Sequence, residues 1–258
     1  MARGSENQPS QRRALQGRLV ENDILLAIPE PEYKALRPHL EFIELQMHQV
    51  LQDPGEKIEF GFFLNSGLVS LLVVTRDARS VEVGVVGKEG FLGVPLASGL
   101  RESSQRAIIQ APAGAFRVKS EVLENFLSSS PRLQYWLNRF VLLQGLQTAQ
   151  LAACNRLHEI EHRLARWLLM SQDRVGSDSL PIPHDLLSQM LGSGRPSVTV
   201  AAGALQRAGI IEYSRGVVKI LNRKALESAA CECYAVIRHI TAHNGVGHPS
   251  NFPARPQT

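Results

Sequence analysis

His158-Glu159-Ile160-Glu161-His162 spells the H-E-x-x-H pattern of a zinc site. On one helix, the two imidazoles would share a face and hold the ion, and the glutamate would act as base in a hydrolysis. A metalloprotease also needs a third ligand and a cleft, and Arg163-Leu164-Ala165-Arg166 continues in no extended zincin pattern. The segment therefore reads as a solvated helical face, with a zinc-dependent hydrolase as the alternative function. Cys154, Cys231 and Cys233 give no disulfide framework in 258 residues, and a reducing, cytoplasmic setting is expected. An iron–sulfur sensor would need about four clustered thiolates. Cys231 and Cys233 allow a vicinal-type disulfide or half a metal site, but they read first as two loose thiols near a helix. His39 and His48 read as ordinary histidines, not haem ligands, and no phosphate-binding G-x-x-x-x-G-K-[ST] loop is present. No catalytic residue, metal or cofactor is expected.

A different chemistry sits between residues 192 and 224, where six bases (Arg195, Arg207, Arg215, Lys219, Arg223, Lys224) face one acid, Glu212. Residues 1–153 are balanced at 16 bases and 16 acids. A localised basic stretch is the footprint of a nucleic-acid contact. Ser193, Gly194, Arg195, Pro196, Ser197 and Thr199 would open a helix with short polar donors and one long cation. Hydroxyls and free helix N–H groups suit phosphate oxygens, and an arginine can grip a guanine edge with two hydrogen bonds. Arg215, between Ser214 and Gly216, would touch a neighbouring phosphate.

These residues need elements to hold them. Residues 185–191 and 195–208 read as helices around Gly192-Ser193-Gly194, and 210–213 and 217–221 as strands around Ser214-Arg215-Gly216. Helix, three-residue turn, helix and hairpin make a winged helix-turn-helix. Val198, Ala201, Ala202 and Leu205 would face its core. Upstream, residues 157–173 form a helix. Ser130-Pro131 opens a longer one, with serine as cap, running to about Cys154. Leu133, Leu137, Phe140, Val141, Gln144, Thr148 and Leu151 recur along it, and its length implies a partner helix from a second copy. A charge at Leu137 or Phe140 is expected to give monomers. Residues 45–118 break into short β-branched runs (58–64, 68–75, 81–86, 107–110, 116–118) with turns between them, Pro112-Ala113-Gly114 among them. This pattern reads as an antiparallel roll. Ser120 would cap a short helix to Leu127.

The run Leu186-Leu187-Ser188-Gln189-Met190-Leu191-Gly192-Ser193-Gly194-Arg195-Pro196-Ser197-Val198-Thr199 resembles the recognition motif of Crp/Fnr transcription regulators. So do Ala204-Leu205-Gln206-Arg207-Ala208-Gly209-Ile210-Ile211 and Arg163-Leu164-Ala165-Arg166-Trp167-Leu168-Leu169-Met170. The resemblance extends over about residues 25–234, by motif in the C-terminal part and by topology alone in the N-terminal part. It implies a cyclic-nucleotide-binding-like sensor roll, a dimer helix and a winged-helix reader. It also implies a homodimer on an inverted repeat of double-stranded DNA, with RNA polymerase as a further partner. Two positions depart from the family. Val200 stands where many members carry a second long base-reading residue. In the roll, Gly90-Phe91-Leu92-Gly93-Val94-Pro95 lacks the ribose-binding acid, and Ser103-Ser104-Gln105-Arg106-Ala107 lacks the phosphate-binding Arg-Ser pair. Cyclic AMP and cyclic GMP are therefore not expected as effectors, although Glu102 offers a displaced acid.

The expected class is α+β: an antiparallel, jelly-roll-like β-roll sensor, a long dimerisation helix and a C-terminal winged helix-turn-helix. The expected divisions are 1–20 (disordered arm), 21–130 (sensor), 131–155 (dimerisation helix), 156–240 (reader) and 241–258 (disordered tail). The first sixteen residues lack the apolar core of a secretory signal, and no window approaches a membrane span. A ligand-binding module whose winged helix docks protein is the non-enzymatic alternative.

Overall fold

The structure is a computed structural model, and it describes residues 12–14 and 17–245. The expectations for residues 1–11, 15–16 and 246–258 lie outside these. Eight strands build the roll expected to be the sensor: β1 (Glu41–Leu45), β2 (Val50–Gln52), β3 (Phe60–Leu64), β4 (Leu68–Val74), β5 (Ser80–Val86), β6 (Phe91–Leu92), β7 (Arg106–Ala111) and β8 (Ala113–Lys119). They form two antiparallel sheets, ordered β1-β8-β3-β6 and β2-β7-β4-β5. Phe63, Phe91 and Phe116, paired across neighbouring strands and so on one face of the sheet, are fully buried between the two sheets. Gly67 turns β3 into β4 at φ 84°, where a Cβ would meet the Pro112 carbonyl oxygen at 2.5 Å. The anticipated turn at Pro112-Ala113-Gly114 is shorter in fact. Pro112 alone breaks the ladder, having no N–H to give, and β8 starts in the other sheet at Ala113.

Helices α1 (Asp23–Ala27), α2 (Glu30–Leu36) and α3 (Ser120–Leu127) flank the roll. Ser120 does not cap α3: it is the first helical residue, buried, and Lys119 holds the cap position. Residues 12–14 and 17–20, expected within a solvated arm, pack against α1 and α2. Ala14 and Val20 are buried, and the Arg12 guanidinium donates to the Leu25 and Ile28 carbonyls beneath the Tyr33 ring.

The long helix α4 (Pro131–Leu157) starts where Ser130-Pro131 places it. The serine side chain makes no capping bond. Instead, Glu32 of α2 accepts from the Arg132 and Leu133 N–H groups at 3.2 and 3.0 Å. A carboxylate suits the positive end of the helix dipole better than a hydroxyl does. Leu133, Trp136, Leu137, Phe140 and Gln147 face the roll and are buried. The opposite face, with Leu142 62% and Leu146 43% exposed, is uncovered. Leu137 and Phe140 therefore belong to the sensor core, not to a seam between copies, which corrects the sequence expectation.

The reader contains α5 (Ile160–Val175), β9 (Ser179–Pro181), α6 (His184–Leu191), α7 (Arg195–Arg207), β10 (Ile211–Ser214), β11 (Val217–Ile220), α8 (Arg223–Ala229) and α9 (Cys233–Asn244). The last two are elements the sequence reading left undefined, and α9 occupies residues 241–244 of the expected disordered tail. Reader and sensor share one core, in which Leu68, Leu72, Val85 and Ala111 of the sheet pack with Leu164, Trp167, Leu168 and Met190. Among the described residues, no helix is long and apolar enough to cross a membrane.

Candidate nucleic-acid interface

Glycine shapes the turn between α6 and α7. Gly192 ends α6 at φ 56°, and Gly194 precedes α7 with extended backbone. No side chain caps α7, and Val198 N–H closes its first turn on the Gly194 carbonyl at 3.2 Å. The Arg195 and Ser197 N–H groups precede that bond and project from the positive end of the helix. Val198, Ala201, Ala202 and Leu205 are buried, so Arg195, Pro196, Ser197, Thr199 and Val200 form the outward face. The spacing of small and apolar residues in the sequence places them this way.

Arg195 pairs with Asp185 of α6 at 3.0 Å, both side chains being about two-thirds exposed (63% and 67%). Such a pair is worth about 0–1 kcal/mol, so a guanine edge can displace it. Thr199 Oγ1 donates to the Arg195 carbonyl and lies 3.3 Å from His184 Nδ1. His184 stacks on Tyr213, whose hydroxyl donates to the Ile182 carbonyl. Burial, helped by the Arg195 charge, holds the His184 imidazole below its ordinary pKa. Thr199 thus meets α6 at His184, which in turn stacks on the hairpin, and its proton is already used. Ser193 donates to the Leu191 carbonyl, which leaves Ser197 as the exposed hydroxyl with no described bond.

The wing tip is a two-residue turn with Arg215 at φ 50° and Gly216 at φ 78°. Two positive φ values in succession match the twist of the flanking strands, and they leave the Arg215 side chain exposed. Arg223 leaves the basic footprint, because it binds Asp173, Glu227 and Gln172 behind the reader.

The H-E-x-x-H pattern does not make a zincin site. Helix α4 ends at Leu157, His158 and Glu159 are extended, and α5 restarts at Ile160. His158 Nε2 meets Glu232 at 3.1 Å, and His162 Nδ1 meets the Ala229 carbonyl at 2.7 Å. No glycine or proline marks this break. It serves the packing of Leu164, Trp167 and Leu168 on the sensor, which local propensity does not encode. The cysteines are not scattered either: the Cys154, Cys231 and Cys233 sulfurs converge with His158.

In the roll, a cavity of about 30 Å³ lies among Gln52, Leu71, Phe91, Gln105 and Gln144. Arg106 does not line it, being engaged outside by Asp53 at 2.6 Å, and Glu102 is exposed. Neither residue replaces the absent ribose and phosphate contacts.

A family profile described as a Crp-like helix-turn-helix domain matches residues 162–229. The chain is similar to the global nitrogen regulator of Synechococcus elongatus, 26% identical over 188 residues, covering 67% of this chain and 82% of that protein. Its fold matches the c-di-GMP-responsive global regulator CLP of Xanthomonas campestris (TM-score 0.63, 17% identity, 74% of this chain and 99% of that one). It also matches a CRP-family transcriptional regulator of Thermus thermophilus (TM-score 0.62, 20% identity, 73% of this chain and 96% of that one).

Proposed function

We propose that this chain is a DNA-binding transcription regulator of the Crp/Fnr type and that it reads an inverted-repeat duplex as a homodimer. The observation that carries this reading is the open N-terminal face of α7, with Arg195, Ser197 and Val200 projecting beside the Arg215 wing. Arg195 would grip a guanine, the Arg195 and Ser197 N–H groups and the Ser197 hydroxyl a phosphate, and Arg215 the phosphate across the groove. Val200, 68% exposed, would lie against a thymine methyl instead of donating a hydrogen bond.

The uncovered face of α4 supports the second copy. Leu142, Gly145, Leu146, Ala149 and Ala153 are exposed at steps of three and four residues. A Cβ added at Gly145 would meet nothing within 4 Å, so a facing helix can approach closely there. A signal in the sensor would shift the population of reader orientations through this helix and through the shared core. RNA polymerase is the further partner this reading carries.

Selection of bound fragments from random duplexes tests the proposal. The expected result is a two-fold symmetric consensus with half-sites about 34–36 Å apart. An asymmetric consensus, or retention on duplex DNA that ignores salt, overturns it.

A further inference from the structure

Three sulfurs and one imidazole meet where the dimer helix ends and the reader's last helix begins. Cys154 and His158 lie four residues apart at the end of α4, one turn above the other. Cys231 and Cys233 flank Glu232 at the corner between α8 and α9. All four ligand atoms lie within 4.8 Å of one another. Cys154 Sγ is 3.5 Å from Cys231 Sγ, and Cys233 Sγ is 3.6 Å from His158 Nδ1. A tetrahedral zinc ion with ordinary Zn–S and Zn–N bonds needs ligand-to-ligand edges of about 3.5–3.8 Å.

We propose that Cys154, His158, Cys231 and Cys233 bind one zinc ion, clasping the end of α4 to the corner between α8 and α9.

The surroundings support a metal. Glu232 is 73% exposed and accepts from His158 Nε2 at 3.1 Å. Nε2 thus faces an acceptor, and in the neutral imidazole this arrangement turns the Nδ1 lone pair toward the sulfurs. Carboxylate, histidine and metal in line is how zinc-bound imidazoles are held. Gln150 Nε2 donates to Cys233 Sγ at 3.1 Å, a bond that stabilises a thiolate. The Arg166 guanidinium lies close enough for its charge to act on the Cys154 sulfur. Arg166 is itself 3% exposed, and its described hydrogen bond goes to the uncharged Met170 sulfur. Three thiolates around Zn²⁺ carry one net negative charge, which this buried guanidinium complements.

Four protein ligands close the coordination shell, so the ion is structural, not hydrolytic. The compact donor set surrounds a single ion; a cluster of several irons holds its thiolates farther apart. Soft sulfur ligands in a tetrahedron select zinc over magnesium or calcium. The clasp sits at the His158–Glu159 break that separates the dimer helix from α5, so the ion would fix the angle at which the reader leaves that helix.

Elemental analysis of the full-length protein, purified reduced and without chelator, tests the proposal. One zinc per chain is expected. Exchange for Co²⁺ should give the visible bands of a tetrahedral site and a thiolate-to-cobalt charge-transfer band. Cys231→Ser and Cys233→Ser should lose both. Glu232→Gln changes an exposed residue outside the shell and leaves all four ligands in place. It should keep zinc at about 10–100-fold lower affinity in competition with a chromophoric chelator. Removing the metal should lower amide-exchange protection at residues 154–160 and 230–236. None of these readouts depends on DNA binding. Metal-free protein with three titratable thiols and no cobalt bands overturns the proposal. So does a Cys154–Cys231 disulfide, or zinc affinity unchanged in Glu232→Gln.

Discussion

The Trp167 indole N–H donates to Glu82 Oε1 at 2.9 Å, across the boundary between reader and sensor. Ser70 donates to the other oxygen at 2.5 Å, and the Glu82 residue is 3% exposed. Burial pushes its pKa up to about 7, against the lowering effects of Ser70, Arg166, Trp167 and Arg174. This polar bridge crosses a largely apolar interface, alongside the Arg174–Glu89 ion pair at 2.6 Å, and its protonation state enters the energy of docking.

This gives the first prediction. Unfolded, Glu82 titrates near 4.5; folded, near 7. Below pH 4.5 both states hold the proton and the contribution is fully present. Between 4.5 and 7 the native state keeps a proton that the unfolded chain has released, so stability falls as pH rises. The shift corresponds to about 3 kcal/mol above pH 7, at about 1.4 kcal/mol per unit. Glu82→Gln keeps the shape and stays neutral. Its melting midpoint should match wild type at pH 4.5 and exceed it by several degrees at pH 8. Equal midpoints at both pH values would contradict the assignment.

The second prediction concerns α4. Leu142→Glu and Leu146→Glu place charges on exposed positions, so the chain should fold normally yet sediment as a monomer and lose DNA affinity. Leu137→Ala and Phe140→Ala remove buried side chains of the sensor core. They should lower stability by about 2–5 kcal/mol while the folded fraction remains dimeric. Monomers from the second pair alone would place the seam on the other face.

The residues that separate legible from illegible structure can be named. The reader was legible because its signals are local: Gly192 and Gly194 punctuate, Pro196 starts a helix, and Val198, Ala201, Ala202 and Leu205 keep one period. Leu137 and Phe140 looked available to a second copy because both faces of α4 are apolar, and periodicity does not say which face the roll takes. The Glu32 cap bridges residues 100 positions apart, beyond any local rule. The cysteine cluster left half a signal in Cys154 and His158 at helical spacing. The other half, Cys-x-Cys, lies 77 positions from Cys154, and only the packing of α9 on α4 unites them.

The third prediction is that cyclic AMP and cyclic GMP do not bind. The cavity of about 30 Å³ has room for about one water, whereas small-molecule sites measure about 300–1,000 Å³. Arg106 is committed to Asp53, and no carboxylate lines the space. Isothermal calorimetry on the full chain should show no binding tighter than about 50 μM, near −6 kcal/mol. Tighter binding would mean that the roll opens around Gln52 and Gln144, and Glu102→Ala would then show whether the exposed acid folds inward.

The fourth prediction separates base readout from phosphate anchoring. Arg195 stands at the first position of α7, and its weak tie to Asp185 leaves the guanidinium free to exchange partners. If it grips a guanine with two bonds, Arg195→Ala should cost about 1–3 kcal/mol on the selected site and little on random duplex. Asp185→Asn removes the competing carboxylate and should tighten specific binding slightly, by less than about 1 kcal/mol. Arg215 sits on a wing tip whose two positive φ values aim it away from the helix-turn-helix core. A phosphate contact carries no sequence information, so Arg215→Ala should weaken all duplexes alike. It should also flatten the slope of log affinity against log salt by about one unit. Val200→Ala shortens the apolar contact and should relax preference for thymine at one position in each half-site, leaving the salt slope unchanged. Fluorescence anisotropy on specific and scrambled duplexes across a salt series reads all four changes. Equal loss of specificity from Arg195→Ala and Arg215→Ala would show that the recognition helix enters the groove in another orientation.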